Sequence, residues 1–201
     1  MREEGEPVKL VYKGKYTCEA DLPVREHPAG YVPFRELGDM QKLATVLNLV
    51  SIPLFVLTVG GFFWFGRAYL GDGSLLVALG MILPMLTLFP HELLHAICFK
   101  GEVELWTNFK MGMLFVVGTE DMSKARFVFM SLLPNLVFGF VPYVLFLLHP
   151  QWLLLGAMGA IALPMGIGDY YNVYNCLTQV PKGALVYLSG MHSYWYILKE
   201  E

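Results

Sequence analysis

Four apolar stretches, 43–65, 74–99, 127–148 and 151–176, dominate the sequence, and each has about the 20 residues that a helix needs to cross the hydrocarbon core of a bilayer. The chain of 201 residues is 56% hydrophobic and only 15% charged, with a mean hydropathy of +0.52, outside the usual range of soluble globular proteins. The expectation is an all-α membrane protein, integral and multi-pass in a lipid bilayer, with about four transmembrane helices. Three polar parts remain: an N-terminal arm (1–42), a central loop (100–126) and a tail (177–201). Each is too short to be expected to enclose a large core of its own. The organisation read from the sequence is therefore an arm, a four-span domain over 43–176, and a tail. The polar, acidic start Met1–Glu6 is followed by no short apolar segment with a cleavage site, so no secretory signal is expected.

Basic residues orient the spans, because positive charge is retained on the cytoplasmic side. Arg2, Lys9, Lys13, Lys15, Arg25, Arg35 and Lys42 precede the first span. Lys100, Lys110, Lys124 and Arg126 lie in the central loop, and Lys182 and Lys199 in the tail. Only Arg67, of 14 basic residues, falls on the opposite side. Both termini are thus expected to be cytoplasmic. The net charge of −3 points to no nucleic-acid partner. Three cysteines, Cys18, Cys98 and Cys176, are an odd number without C-x-x-C spacing and read as packing residues rather than a disulfide framework.

Near the cytoplasmic end of the second stretch stands His91-Glu92-Leu93-Leu94-His95. Residues four apart share a helix face, so His91 and His95 can offer two imidazoles to one zinc ion while Glu92 points at its bound water. The composition would produce roughly 0.007 chance matches to this pattern. Its placement in an apolar span, where ionisable groups are costly, makes coincidence rarer still. At 1.5 Å per residue the two histidines lie about 6–12 Å inside the span. Pro90 lacks an N–H and is expected to kink or restart the helix at the motif, with Pro84 loosening it earlier; this is either an ordinary kink or a means of opening the site to water.

After the motif, Val103, Leu105, Thr107, Phe109, Met111 and Met113 alternate with Glu104, Trp106, Asn108, Lys110 and Gly112. This is strand patterning, so the central loop is expected to be short and β-hairpin-like. It is either scaffolding or an edge to which an extended substrate adds.

A catalytic zinc site keeps three protein ligands and an open fourth position. His149 falls at the outer ends of the third and fourth spans, while His27 and His192 belong to the polar arms. Cys98 shares the face of His91 and His95 but lies about 10 Å along the axis from His91, too far to join one ion, and reads as packing. Asp169 differs from these: it is the sole acidic residue between Met122 and Lys199, it follows Gly166 and Gly168 inside the fourth span, and its depth matches that of the histidines. A carboxylate there needs a cation, a donor network or water, so it is either a metal ligand or a structural Asp that caps a helix restart or bonds Asn172 or Tyr170. Asn135, after Leu133-Pro134, either bonds carbonyls freed around Pro134 or holds a substrate backbone. Gly156 and Ala160 form a small-residue face suited to helix packing within the chain.

Phe89-Pro90-His91-Glu92-Leu93-Leu94-His95-Ala96, the strand-like loop, Leu132-Leu133-Pro134, Gly168-Asp169 and Pro181-Lys182-Gly183-Ala184-Leu185-Val186 together resemble the family named "putative zincin peptidase", formerly a domain of unknown function. That family in turn resembles the site-2 proteases, which are intramembrane zinc metalloproteases. The resemblance covers about residues 75–190. It implies that His91, His95 and Asp169 hold Zn2+ and that Glu92 is the general base. Tyr170 follows the aspartate where site-2 proteases usually have glycine. The expected activity is a zinc-dependent intramembrane metalloendopeptidase that cleaves a membrane-protein or peptide substrate near the cytoplasmic boundary. The rival expectation is a non-catalytic metal-binding membrane scaffold, or a pseudoprotease that binds membrane clients.

Overall fold

The computed structural model describes residues 8–71, 73–108 and 113–198. Two compact units interleave along the chain: the described residues of Met1–Glu36, Glu92–Met130 and Asn172–Glu201 form one, and Leu37–His91 with Ser131–Tyr171 the other.

The helical unit begins with α1 (Met40–Gly66), whose N-terminus is capped by Asp39, its carboxylate accepting from the Gln41 and Lys42 backbone N–H groups at 2.9 and 3.0 Å. Then come α2 (Ser74–Leu86), the start of α3 (Leu88–Ala96), the end of α4 (Lys124–Asn135), a π-helical turn (Leu136–Phe140), α5 (Val141–Leu148), α6 (Leu153–Met165) and the start of α7 (Ile167–Gln179). α6 is the hub, packed against α1, α2 and α5. Phe62, Phe146, Leu153, Ala157 and Ala160 form the core there. Gly156 and Ala160 pack inside the chain, as their spacing suggested: the Phe146 ring occupies the place of a Gly156 side chain, and the Ala160 carbonyl accepts from Thr58 Oγ1 at 2.8 Å. The opposite face of α1 carries exposed Leu49, Val56, Leu57 and Trp64, an apolar surface suited to lipid.

Among the described residues two helices, Gln41–Gly66 and Lys124–Leu148, are long and apolar enough to cross a membrane unbroken. The other two expected spans are bent pairs: α2 and α3 meet at 45°, and α6 and α7 at 52°. Where each pair is one span, the number is four.

An all-α fold does not hold for the rest of the chain. The second unit carries two small sheets and a core of its own, although each polar segment had looked too short for one. In the first sheet, β1 (Lys9–Lys15) runs parallel to β3 (Glu102–Asn108), and β3 pairs antiparallel with β4 (Met113–Val117). The alternation read over Val103–Met113 thus belongs to two strands of a hairpin, in which Asn108 pairs with Met113; Phe109, Lys110, Met111 and Gly112 lie outside the described residues. Val103 and Trp106 are both buried, in different clusters, because both faces of this sheet are covered. The second sheet is antiparallel in the order β2-β7-β6-β5, from Val32–Pro33, His192–Tyr196, Leu185–Ser189 and Met122–Ser123. Phe34, Phe99, Val103, Phe127 and Val186 meet in one core. Arm, loop and tail succeed together because their apolar residues are pooled: burial scales with the area the segments remove from water jointly.

Candidate metal centre

The break that starts the motif helix lies at Thr87, three residues before the expected proline. Pro90 has no N–H to give the Leu86 carbonyl, so the ladder fails one turn upstream of the proline itself. Thr87 itself is bonded on both sides of the break: its N–H donates to the Leu83 carbonyl at 2.9 Å, its Oγ1 to the Pro84 carbonyl at 3.0 Å, and its own carbonyl accepts from His91 N–H at 2.8 Å. α3 then presents the motif on one short helix. The ligand atoms of His91, Glu92 and His95 all lie within 4.8 Å of one another, the arrangement that i, i+4 spacing dictates.

His95 is buried, at 8% exposure. Its Nδ1 stands 2.9 Å from the Met130 carbonyl of α4. A carbonyl can only accept, so Nδ1 carries the proton and Nε2 the lone pair, which is the tautomer that binds metal. Glu92 is held too: its Oε2 accepts from the Val116 N–H of β4 at 3.1 Å. That strand is an edge of its sheet.

Asp169, in the first turn of α7, reaches His91: Oδ2 and Nε2 are 3.2 Å apart. The start of a helix favours a carboxylate electrostatically. The same Oδ2 accepts from Asn135 Nδ2 at 2.6 Å. Asp169 therefore meets His91, the first residue of the motif. Asn135 is thus a hydrogen-bond partner of Asp169, a pairing that the apolar sequence around both residues does not signal. Two ligands on one tetrahedral zinc, at bonds of ~2.0–2.1 Å, stand about 3.3 Å apart. The His91–Asp169 separation fits that, and two imidazoles with a carboxylate are a donor set that suits zinc.

The other candidates are engaged elsewhere. His27 stacks on Tyr31 with ring centroids 4.3 Å apart, and its Nδ1 lies 2.9 Å from the Tyr187 hydroxyl. Burial pushes that phenol up to about 12, so it is a neutral partner. His192 lies between Glu19 and Glu36, at 3.3 and 3.1 Å. His149 packs on the Trp152 ring, and Cys98 donates to the Leu94 carbonyl one turn back. One supporting group escaped the sequence reading. Glu120 accepts from the Lys100 and Gly101 N–H groups at 2.8 and 2.7 Å and pairs with Arg126, whose Nε donates to the Cys98 carbonyl at 2.7 Å, tying down the chain where it leaves α3. These are bonds to backbone, which spacing cannot reveal.

No curated protein and no solved structure matches the chain. A family model described as "putative zincin peptidase" matches residues 84–185, half of the sequence, and the matched span contains His91, Glu92, His95, Asn135 and Asp169. The chain belongs to that family.

Proposed function

We propose that the protein is a zinc-dependent intramembrane endopeptidase in which His91, His95 and Asp169 hold the metal and Glu92 is the general base, acting on membrane-protein substrates near the cytoplasmic boundary. The observation that carries this reading is the convergence of the His91, Glu92 and His95 donor atoms on α3, with Asp169 against His91. Family membership supports a metallopeptidase, and the apolar helices support a membrane setting.

When bound, zinc supplies a Lewis acid that polarises the scissile carbonyl and acidifies the attacking water. The chain's own groups do the rest. Glu92 takes the proton of the attacking water on its carboxylate and passes it to the leaving amine. The Met130 carbonyl keeps His95 in its ligating tautomer, and the Val116 N–H holds the Glu92 carboxylate in place. A helical peptide bond is shielded, so the substrate unwinds locally. An extended segment added at the β4 edge lies beside Glu92, because Val116 belongs to that edge strand.

Metal analysis tests the ligand set. The purified chain is expected to hold about one zinc per molecule, with strong loss in His91→Ala, His95→Ala and Asp169→Ala. Full zinc content in Asp169→Ala would reassign the third ligand.

The basic-residue bias supports a cytoplasmic side for both termini, and with them for Glu92. Cys18 is exposed, Cys98 partly covered and Cys176 buried, so Cys18 is the natural reporter. An impermeant maleimide is expected to label it only after the cytoplasmic face is opened. Labelling in intact cells would reverse the orientation.

A further inference from the structure

Asn135 is 5% exposed at the end of α4, directly after the apolar Leu132-Leu133-Pro134. Its carboxamide is held on two sides. Nδ2 donates to Asp169 Oδ2 at 2.6 Å, and weakly to the Ser131 carbonyl at 3.4 Å. The rest of the amide lies on Gly166, at the 52° break between α6 and α7: a Cβ at Gly166 would stand 1.7 Å from Asn135 Oδ1 and 2.5 Å from its Cγ. No residue but glycine leaves room for the amide there. The backbone also departs from α-helical register directly after Asn135. Pro142 has no N–H for the Phe138 carbonyl, and the Val141 N–H bonds the Leu136 carbonyl five residues back, giving the π turn Leu136–Phe140.

We propose that Asn135 is the positioning residue for Asp169, holding its carboxylate at His91, and that Gly166 is the floor on which the Asn135 amide rests. This rests on the reading of Asp169 as a zinc ligand. An Asp side chain in the first turn of a helix rotates about two torsions, and a charge-assisted bond to a buried amide selects one orientation. The neutral donor leaves the carboxylate its charge, as a ligand requires. Outer partners of this kind set metal affinity by about 10–100-fold.

The experiment uses the full chain in lipid nanodiscs and measures zinc affinity by competition with a chromophoric chelator, together with the d–d absorption of the Co2+-substituted protein. Asn135→Ala is expected to weaken zinc binding about 10–100-fold and to change the cobalt spectrum. Asn135→Asp, which fills the same room but offers no N–H, should weaken it at least as much. Gly166→Ala should match Asn135→Ala, because its methyl displaces the amide. The double variant Asn135→Ala/Gly166→Ala should be no worse than Asn135→Ala alone, since the nearest atoms facing that methyl belong to the amide that alanine lacks.

Asp169→Ala is measured alongside and is expected to lose zinc. Wild-type affinity and spectrum in Asn135→Ala and Asn135→Asp, with zinc lost in Asp169→Ala, would overturn the positioning role and leave the ligand assignment standing. Wild-type affinity in Asp169→Ala would overturn the ligand assignment and the proposal with it. Additive losses in the double variant would refute the pairing of Asn135 with Gly166.

Discussion

Glu92→Gln is expected to keep its zinc and its fold while losing peptide hydrolysis by about 10²–10⁴-fold, the usual contribution of a positioned general base. The substitution is nearly isosteric, and the glutamine oxygen can still accept from the Val116 N–H, so the tie between α3 and β4 survives. Only the capacity to take a proton is removed. Glu92→Ala would break that tie as well and confuse loss of a base with loss of structure. Two measurements are needed: metal content and turnover of an unstructured peptide by the purified chain, and membrane-protein fragments in cells carrying either the native chain or Glu92→Gln. Accumulation of uncleaved client in the Glu92→Gln cells is the expected outcome. An unchanged fragment pattern, with zinc retained, would sink the protease reading and leave a protein that acts by binding.

The motif cluster could be read from the sequence because its geometry is local: four residues of α-helix place His91 over His95 whatever surrounds them. Asp169 could be found for a different reason, the cost of a carboxylate among apolar neighbours. The groups that fix both in place were not readable. The Met130 carbonyl that sets the His95 tautomer is a backbone atom, and Asn135 reaches Asp169 only because α4 and the break before α7 come together. Apolar length located four stretches, and Pro90 signalled the bend in the second, although the break appears at Thr87 because a proline acts on the carbonyl four residues earlier. The sheets were least visible. β1 pairs with β3 across nearly half of the sequence and β2 with β7 across most of it, and strands as short as Val32–Pro33 carry no periodicity from which such partners could be inferred.

Phe99→Ala is expected to destabilise the sheet-bearing unit by about 3–5 kcal/mol, in the range for a buried phenylalanine truncated to alanine. Phe99 lies three residues past the end of α3, its N–H donating to the Ala96 carbonyl at 3.0 Å, and both residues are buried in the core with Val103, Phe127 and Val186. The ring lies flush on Gly118, where a Cβ would come within 2.6 Å of it. Gly118 has no side chain to move into the space the ring would vacate, so a cavity penalty adds to the lost transfer energy. Phe99→Leu should cost less, because most of the volume remains. The measurement is hydrogen exchange of the β3 and β6 amides, which reports opening of this unit apart from the apolar helices. A loss under ~1 kcal/mol would mean that the core does not anchor the motif helix, against the burial of Ala96 and the His95 bond to Met130 in the same unit. Activity should fall in Phe99→Ala as the folded fraction falls and recover on cooling or with added zinc, which binds only the folded form. Glu92→Gln should show neither recovery, and that contrast separates a residue that anchors the site from one that performs its chemistry.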